Sequence, residues 1–139
     1  MPPYIHHTRV AFADTDASGI VYFAHFFRYA QEAEVYALAS LGFSRMDMRY
    51  PRVHADAQFE RPLKFWEKVR TEAGLEKIGS TSLHWKFCIF GENGLSATVR
   101  IITSRRNGDF SPAPYSEEER RSLGTLLLSD KNPSIEQKN

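Results

Sequence analysis

The chain has a single cysteine, Cys88, among 139 residues. That count excludes an internal disulfide and a cysteine-built metal cluster. Cys88 sits inside an apolar, strand-like run, which points to a buried structural thiol rather than a nucleophile. An excess of one charge is also missing: 18 Lys+Arg stand against 17 Asp+Glu, a formal net charge of +1. No bulk field therefore attracts nucleic acid or an anionic membrane, and an anionic partner must be met by a local patch. No apolar run approaches the roughly 18 residues of a membrane helix, and the first residues lack a charged segment followed by an apolar one. The expectation is a soluble, cytoplasmic protein. Repeats and low-complexity tracts are absent as well.

What is present fits one ordered domain: 42% hydrophobic and 13% aromatic residues over 139 positions. Weak alternation over Tyr4 to Phe12 reads as an opening strand, with Thr8, Val10 and Phe12 on one side. Asp14-Thr15-Asp16-Ala17-Ser18-Gly19 is too rich in turn formers for a regular element. From Phe23 to Leu41 the apolar positions recur every 3.6 residues, and Gly42 follows as a stop, so a helix is predicted there. Its small residues Ala30, Ala33 and Ala37 predict a close neighbour, such as a curved sheet. Glu34 falls within the same stripe and needs a partner, which a nearby subunit interface would explain.

A short irregular or helical piece is expected around Ser44 to Arg49. Four strands follow: Val53–Glu60, Lys68–Ile78, Ser82–Phe90 and Leu95–Ser104. Gly79-Ser80-Thr81 and Gly91-Glu92-Asn93-Gly94 suit hairpin turns, so the last three strands form an antiparallel meander. Ser116 with Glu119 three residues on predicts a capped short helix, and a flexible tail is expected from about Ser129. The domain expected is residues 1–110, with a carboxy-terminal extension over 111–139. The fold class is α+β, one helix on a face of an antiparallel sheet.

Chemistry concentrates in Phe12-Ala13-Asp14-Thr15-Asp16-Ala17-Ser18-Gly19-Ile20-Val21-Tyr22-Phe23, which joins a strand to the start of the long helix. The first turn of a helix offers unpaired N–H groups and a partial positive charge, suited to polarising a carbonyl oxygen. A carboxylate a few residues upstream could attack the same carbonyl carbon or activate water, so both halves of an acyl-transfer site are present. The alternative is that Asp14 and Asp16 are turn and capping residues. The spacing does not fit an EF-hand calcium loop, and no metal is expected.

This segment resembles the signature of the 4-hydroxybenzoyl-CoA thioesterase family of hotdog-fold proteins, Asp-x-Asp-x-x-Gly-(Val/Ile)-Val-(Tyr/Trp) running into a central helix. The resemblance spans about Thr8 to Ser104. Ala13-Asp14-Thr15-Asp16, Val21-Tyr22-Phe23 and Val53-His54-Ala55 are similar to phrases of 1,4-dihydroxy-2-naphthoyl-CoA thioesterases. The resemblance implies a five-stranded antiparallel sheet wrapped around one long central helix. It also implies Asp16 as the catalytic carboxylate and the amide near Phe23 as the oxyanion donor. Gly19, Ile20, Tyr22, His54 and Phe59 would bind the acyl group, and Lys77, Ser80, Thr81 and Ser82 would bind CoA. Phe23 stands where short-acyl relatives carry His, which favours an aryl or bulky acyl group, and His25 stands where many relatives carry Asn.

The activity expected is acyl-CoA thioester hydrolysis by a homodimer or homotetramer, with coenzyme A as part of the substrate and no separate cofactor. No nucleic-acid or membrane partner is expected. Carrier-protein-bound acyl chains, or a non-catalytic acyl-CoA-binding module, are the alternatives. His54 and Asp56 project from one strand face and form either a pocket pair or a structural one. Arg105 and Arg106 read as nucleotide-facing or plain surface residues, and His6 and His7 as surface residues at the start of the chain.

Overall fold

A computed structural model describes residues 4–43 and 48–129. Residues 44–47 and the tail beyond Ser129 lie outside the described residues, and with them most of the piece expected near Ser44 and the expected flexible tail. The elements run β1 Tyr4–Arg9, a 3-10 turn Phe12–Asp14, α1 His25–Ser40, β2 Arg52–Phe59, β3 Lys68–Ile78, β4 Ser82–Gly91, β5 Gly94–Ser104 and α2 Glu117–Gly124. The strands form one antiparallel sheet in the order β1-β3-β4-β5-β2. The meander occupies the centre, while β1 and β2 take the two edges.

Side-chain alternation decides which face of the sheet is buried. Val69, Ala73 and Leu75 of β3, Leu83, Trp85, Phe87 and Ile89 of β4, and Ala97, Val99 and Ile101 of β5 share one core with α1. From α1 come Phe26, Tyr29, Ala30, Ala33, Ala37 and Leu38. The three alanines are fully buried, so the helix backbone itself lies close to the sheet.

α1 has 16 residues and is shorter at both ends than the periodicity predicts. At its carboxy end Gly42 takes φ 83°. The Gly42 N–H donates to the Ala39 carbonyl and the Phe43 N–H to the Leu38 carbonyl, the paired bonds of a Schellman stop. Glu34 is completely buried, and its partner is Arg52 of β2, bonded at 2.6 and 3.0 Å. The bidentate pair ties α1 to an edge strand within one chain.

The carboxy-terminal segment is packed into the same core through Tyr115, Leu123 and Leu126. Ser116 caps α2, its hydroxyl accepting from the Glu119 N–H while the Glu119 carboxylate accepts from the Ser116 N–H. Past α2, the Leu75 N–H donates to the Leu126 carbonyl and the Leu128 N–H to the Leu75 carbonyl, both at 2.8 Å. Among the described residues β1 pairs with β3 as far as Ala73. Residues 126–128 pair with the same edge of β3 at Leu75, beyond Ala73.

Arg105 is buried, not at the surface. Its guanidinium donates to the Ala113 and Pro114 carbonyls and to both oxygens of Glu119, and lies 4.0 Å from the Tyr115 ring centroid. It clamps the segment that follows β5. His6 is also not a free surface residue: it lies in β1 and stacks on Tyr36 of α1 at 4.6 Å.

Candidate active site

The loop between β1 and α1 folds back on itself. The Tyr22 N–H donates to the Asp14 carbonyl and the Asp16 N–H to the Ile20 carbonyl, with Thr15 bridged to Val21 between them. The Gly19 N–H donates to the Asp16 carbonyl and closes the tip, where Gly19 takes φ 84°, a conformation that favours glycine. Ile20 bridges to Lys64, and the Val21 N–H donates to the Leu63 carbonyl, so the loop is fastened to the segment before β3.

This geometry separates the two aspartates. Asp14 is buried and accepts from the Ala11 N–H at 2.9 Å, the Tyr29 hydroxyl at 2.8 Å and the Arg28 guanidinium. Burial pushes its pKa up, but the Ala11, Tyr29 and Arg28 interactions outweigh burial and hold it below the ordinary 3.8. Burial, reinforced by the Asp14 bond, in turn raises the Tyr29 pKa and keeps its hydroxyl protonated. Asp14 is a structural anchor between the loop and α1.

Asp16 is exposed at the tip. The Ser18 hydroxyl and the Ser18 N–H both donate to Oδ1, and these bonds lower its pKa below 3.8, so the carboxylate is ionised at neutral pH. Among the described residues the carboxylate's hydrogen bonds fall on Oδ1, and the nearby Ile20 N–H adds to the lowering of its pKa. Thus Asp16 combines a turn contact on one oxygen with a second oxygen open to a reacting group. With Phe12, Thr15, Ala17, Gly19 and Phe65 it lines a cleft of about 530 Å³.

The amino end of α1 has no side-chain cap. The His25, Phe26 and Phe27 N–H groups each reach back three residues, to the Tyr22, Phe23 and Ala24 carbonyls. The unpaired donors expected at a helix start are thereby moved to Phe23 and Ala24, whose N–H groups meet no acceptor among the described residues. Phe23, Ile20, Val21, Phe26 and Phe59 line an adjoining cleft of about 290 Å³. Phe59 packs edge-on against Phe23 and Phe26, with ring centroids 6.3 and 5.3 Å apart. The exposed Tyr22 ring lies against Phe23 at 4.9 Å.

The remaining predicted residues lie elsewhere. His54 and Asp56 pair at 2.7 Å on the exposed edge strand β2. Lys77, Ser80, Thr81 and Ser82 lie at the β3–β4 hairpin, about 30 Å along β3 from its start beside the 60s segment, at roughly 3.3 Å per residue. The hairpin carbonyls are engaged from the same chain: Gly79 and Ile78 by Arg120, Ser80 by the Tyr115 N–H and Thr81 by the Arg105 N–H. Lys77 itself is exposed.

Sequence reasoning missed Phe12 and Phe65 as cleft residues. Phe12, expected on the same strand side as Val10, which is buried, is 78% exposed and packs edge-on against Phe65. The adjacent pair Phe65-Trp66 carried the signal, since two consecutive aromatics cannot both enter the core from an extended segment. Among the described residues no group of three His, Cys, Asp or Glu side chains converges to hold a metal. No helix among them is long and apolar enough to cross a membrane.

A thioesterase superfamily model matches residues 18–98. The chain is 31% identical over 102 residues to a 1,4-dihydroxy-2-naphthoyl-CoA hydrolase of Crocosphaera subtropica, covering 69% of this chain and 74% of that protein. A solved gentisyl-coenzyme A thioesterase is 26% identical with a TM-score of 0.77, over 84% of this chain and 98% of the other. A solved 1,4-dihydroxy-2-naphthoyl-CoA thioesterase from Synechocystis shares the fold at a TM-score of 0.80 and 21% identity, over 88% and 96% of the two chains.

Proposed function

The chain belongs to the thioesterase superfamily, and on that premise we propose that it hydrolyses an acyl-CoA thioester whose acyl group is aromatic or otherwise bulky. The observation that carries this reading is one short unit presenting both an ionised, half-open carboxylate at Asp16 and uncapped N–H groups at Phe23 and Ala24. A thioester carbonyl seated between them has its oxygen at the helix end and its carbon facing Asp16. As the carbon becomes tetrahedral its oxygen gains negative charge, and donors fixed in advance stabilise that charge without reorganising.

Two routes use these groups. In one, Asp16 Oδ2 bonds to the acyl carbon, the CoA thiolate leaves, and water then cleaves the resulting anhydride. In the other, Asp16 takes a proton from water, the hydroxide adds to the carbon, and the departing thiolate receives a proton. Both yield a free acid and CoA. Ile20, Tyr22 and Phe59, beside Gly19 at the turn, supply the wall for the acyl group, and their aromatic content favours an aryl ester. Names among the relatives, naphthoyl-CoA and gentisyl-CoA thioesterases, point the same way.

The unit proposed is a homodimer or homotetramer. Support comes from the exposed edge strand β2 and from the distance between the Asp16 loop and the Lys77 to Ser82 hairpin. On this reading a hairpin so far along β3 reaches an Asp16 cleft from a second copy.

Thiol release from benzoyl, hydroxybenzoyl, dihydroxynaphthoyl, phenylacetyl and aliphatic CoA esters tests the reading. One of the acyl groups should also be presented on a carrier protein. Preferential turnover of an aryl CoA ester is expected. No turnover of any CoA ester, or turnover of the carrier-protein form alone, overturns it.

A further inference from the structure

The chain after β5, α2 included, lies beyond the residues 18–98 that match the thioesterase family, and it holds the β3–β4 hairpin by its carbonyls. Four consecutive carbonyls are engaged this way. The Arg120 guanidinium of α2 donates to Ile78 at 3.1 Å and to Gly79 at 2.6 Å. The Tyr115 N–H donates to Ser80 at 2.9 Å and the Arg105 N–H to Thr81 at 2.8 Å.

The bond to Gly79 stands in for an internal one. In a hydrogen-bonded turn the first carbonyl accepts from the N–H three residues on. Here the Gly79 N–H donates to the Ser82 carbonyl at 2.8 Å, but the Gly79 carbonyl receives Arg120 and not the Ser82 N–H. The Ser80 and Thr81 N–H groups also meet no acceptor among the described residues. With its carbonyls engaged by the extension, the turn is left presenting donors beside the exposed Lys77, and successive free N–H groups suit an anion. Arg120 is itself firmly placed. Its neighbour Glu119 accepts from Arg105 at 2.8 and 2.9 Å, Ser116 caps α2, and Leu123 is fully buried. Arg120 is half-buried and meets no carboxylate among the described residues, so its charge is spent on the hairpin carbonyls, and charged donors make the stronger bonds.

We propose that Arg120 is a positioning residue for turnover of CoA esters: it keeps the β3–β4 hairpin in the donor-presenting shape through which Lys77, Ser80, Thr81 and Ser82 meet CoA. The inference rests on the thioesterase reading and on the assignment of that hairpin to CoA. What it adds is a role for α2, which the family match does not include. Without the guanidinium, the Gly79 carbonyl is free to accept from the Ser82 N–H. The hairpin then closes as an ordinary turn, and a donor is withdrawn from the ligand side.

Calorimetric titration of the full chain with coenzyme A tests the proposal without turnover. Arg120→Ala should weaken CoA binding about ten-fold, and Arg120→Lys, which keeps the charge but lacks the planar fork, should recover part of the loss. The effect should pass through the hairpin: in a Lys77→Ala background the same Arg120→Ala change should weaken binding by clearly less than about ten-fold, the coupling that a double-mutant cycle reads. In turnover, Arg120→Ala should raise KM for an aryl CoA ester about ten-fold at unchanged kcat and leave KM for the matching acyl-pantetheine ester unaltered. Loss of folded protein lowers the apparent kcat for both esters, so this split separates positioning from stability.

Absence of CoA binding to the parent, unchanged CoA affinity in a folded Arg120→Ala protein, full additivity with Lys77→Ala, or an equal rise in KM for both esters overturns the proposal. A parent that binds CoA through Lys77 and Arg120 but cleaves no thioester refutes the thioesterase reading and leaves the positioning role standing. A parent that cleaves CoA esters, with Arg120→Ala silent in KM, refutes the positioning role and leaves that reading intact.

Discussion

Replacing Asp14 by Ala should unfold the loop's anchor, although Asp14 lies two residues from the proposed catalytic carboxylate. The Tyr29 hydroxyl, in a residue 1% exposed, loses its acceptor, and a buried unsatisfied hydroxyl costs about 1–3 kcal/mol. The Arg28 contribution is smaller, because that side chain is 39% exposed and water replaces much of the attraction. The Ala11 N–H is in an exposed residue and rehydrates. The sum is about 3 kcal/mol, or roughly 10 °C in melting temperature for a domain of this size. The folded-state pKa of Asp14 lies below 3.8, so its stabilising contribution is complete above the ordinary carboxylate value and is lost as pH falls through the folded one. Thermal melts of parent and variant should therefore differ fully at pH 7, and the gap should narrow without vanishing as pH falls below about 4, because a protonated Asp14 still accepts from the Tyr29 hydroxyl. An unchanged melting temperature at pH 7, or a gap that persists unaltered in acid, refutes the assignment of Asp14 as an anchor.

Arg105→Gln should cost about 2–3 kcal/mol by breaking a buried charged clamp and should speed proteolysis after β5; the Glu119 carboxyl, held at about 2 by Arg105, should titrate nearer 4.5 by NMR. Gly74→Val should displace Leu128, since a side-chain carbon at Gly74 meets its Cδ2 at 2.5 Å. Leu128 packs on the Cys88 cluster, so faster labelling of Cys88, a thiol that burial pushes up to about 11, is the readout. Phe59→Ala should raise KM for an aryl CoA ester about ten-fold, or about 1.4 kcal/mol, and barely alter that for acetyl-CoA. Equal effects on both esters remove Phe59 from the acyl wall.

Local pattern made the meander legible. β3 runs from Lys68 to Ile78 as the alternation of Val69, Thr71, Ala73 and Leu75 predicts, and β4 and β5 differ from expectation by one residue at one end. The α1 stripe was equally readable, but its ends depend on the Schellman bonds at Gly42 and on the back-reaching N–H groups at His25 to Phe27. Side-chain partners far along the chain were not readable. By residue type alone Asp14 and Asp16 are equivalent in a D-x-D phrase; the family resemblance singles out Asp16, and packing against Arg28 and Tyr29 gives Asp14 its separate place. Arg105-Arg106 reads as nucleotide-facing or plain surface residues because the groups that bury Arg105 arrive eight to fourteen residues later. Phe12 follows the strand pattern until the 3-10 turn rotates it toward Phe65.

In the proposed mechanism Asp16 acts from a loop that Asp14 anchors. Single-turnover thiol release from an aryl CoA ester by Asp16→Asn tests it most directly, with the variant's melting curve recorded alongside. The account predicts an unchanged melting temperature and a rate about 10²- to 10⁴-fold below the parent. Thiol release at the parent rate by a folded Asp16→Asn protein contradicts it.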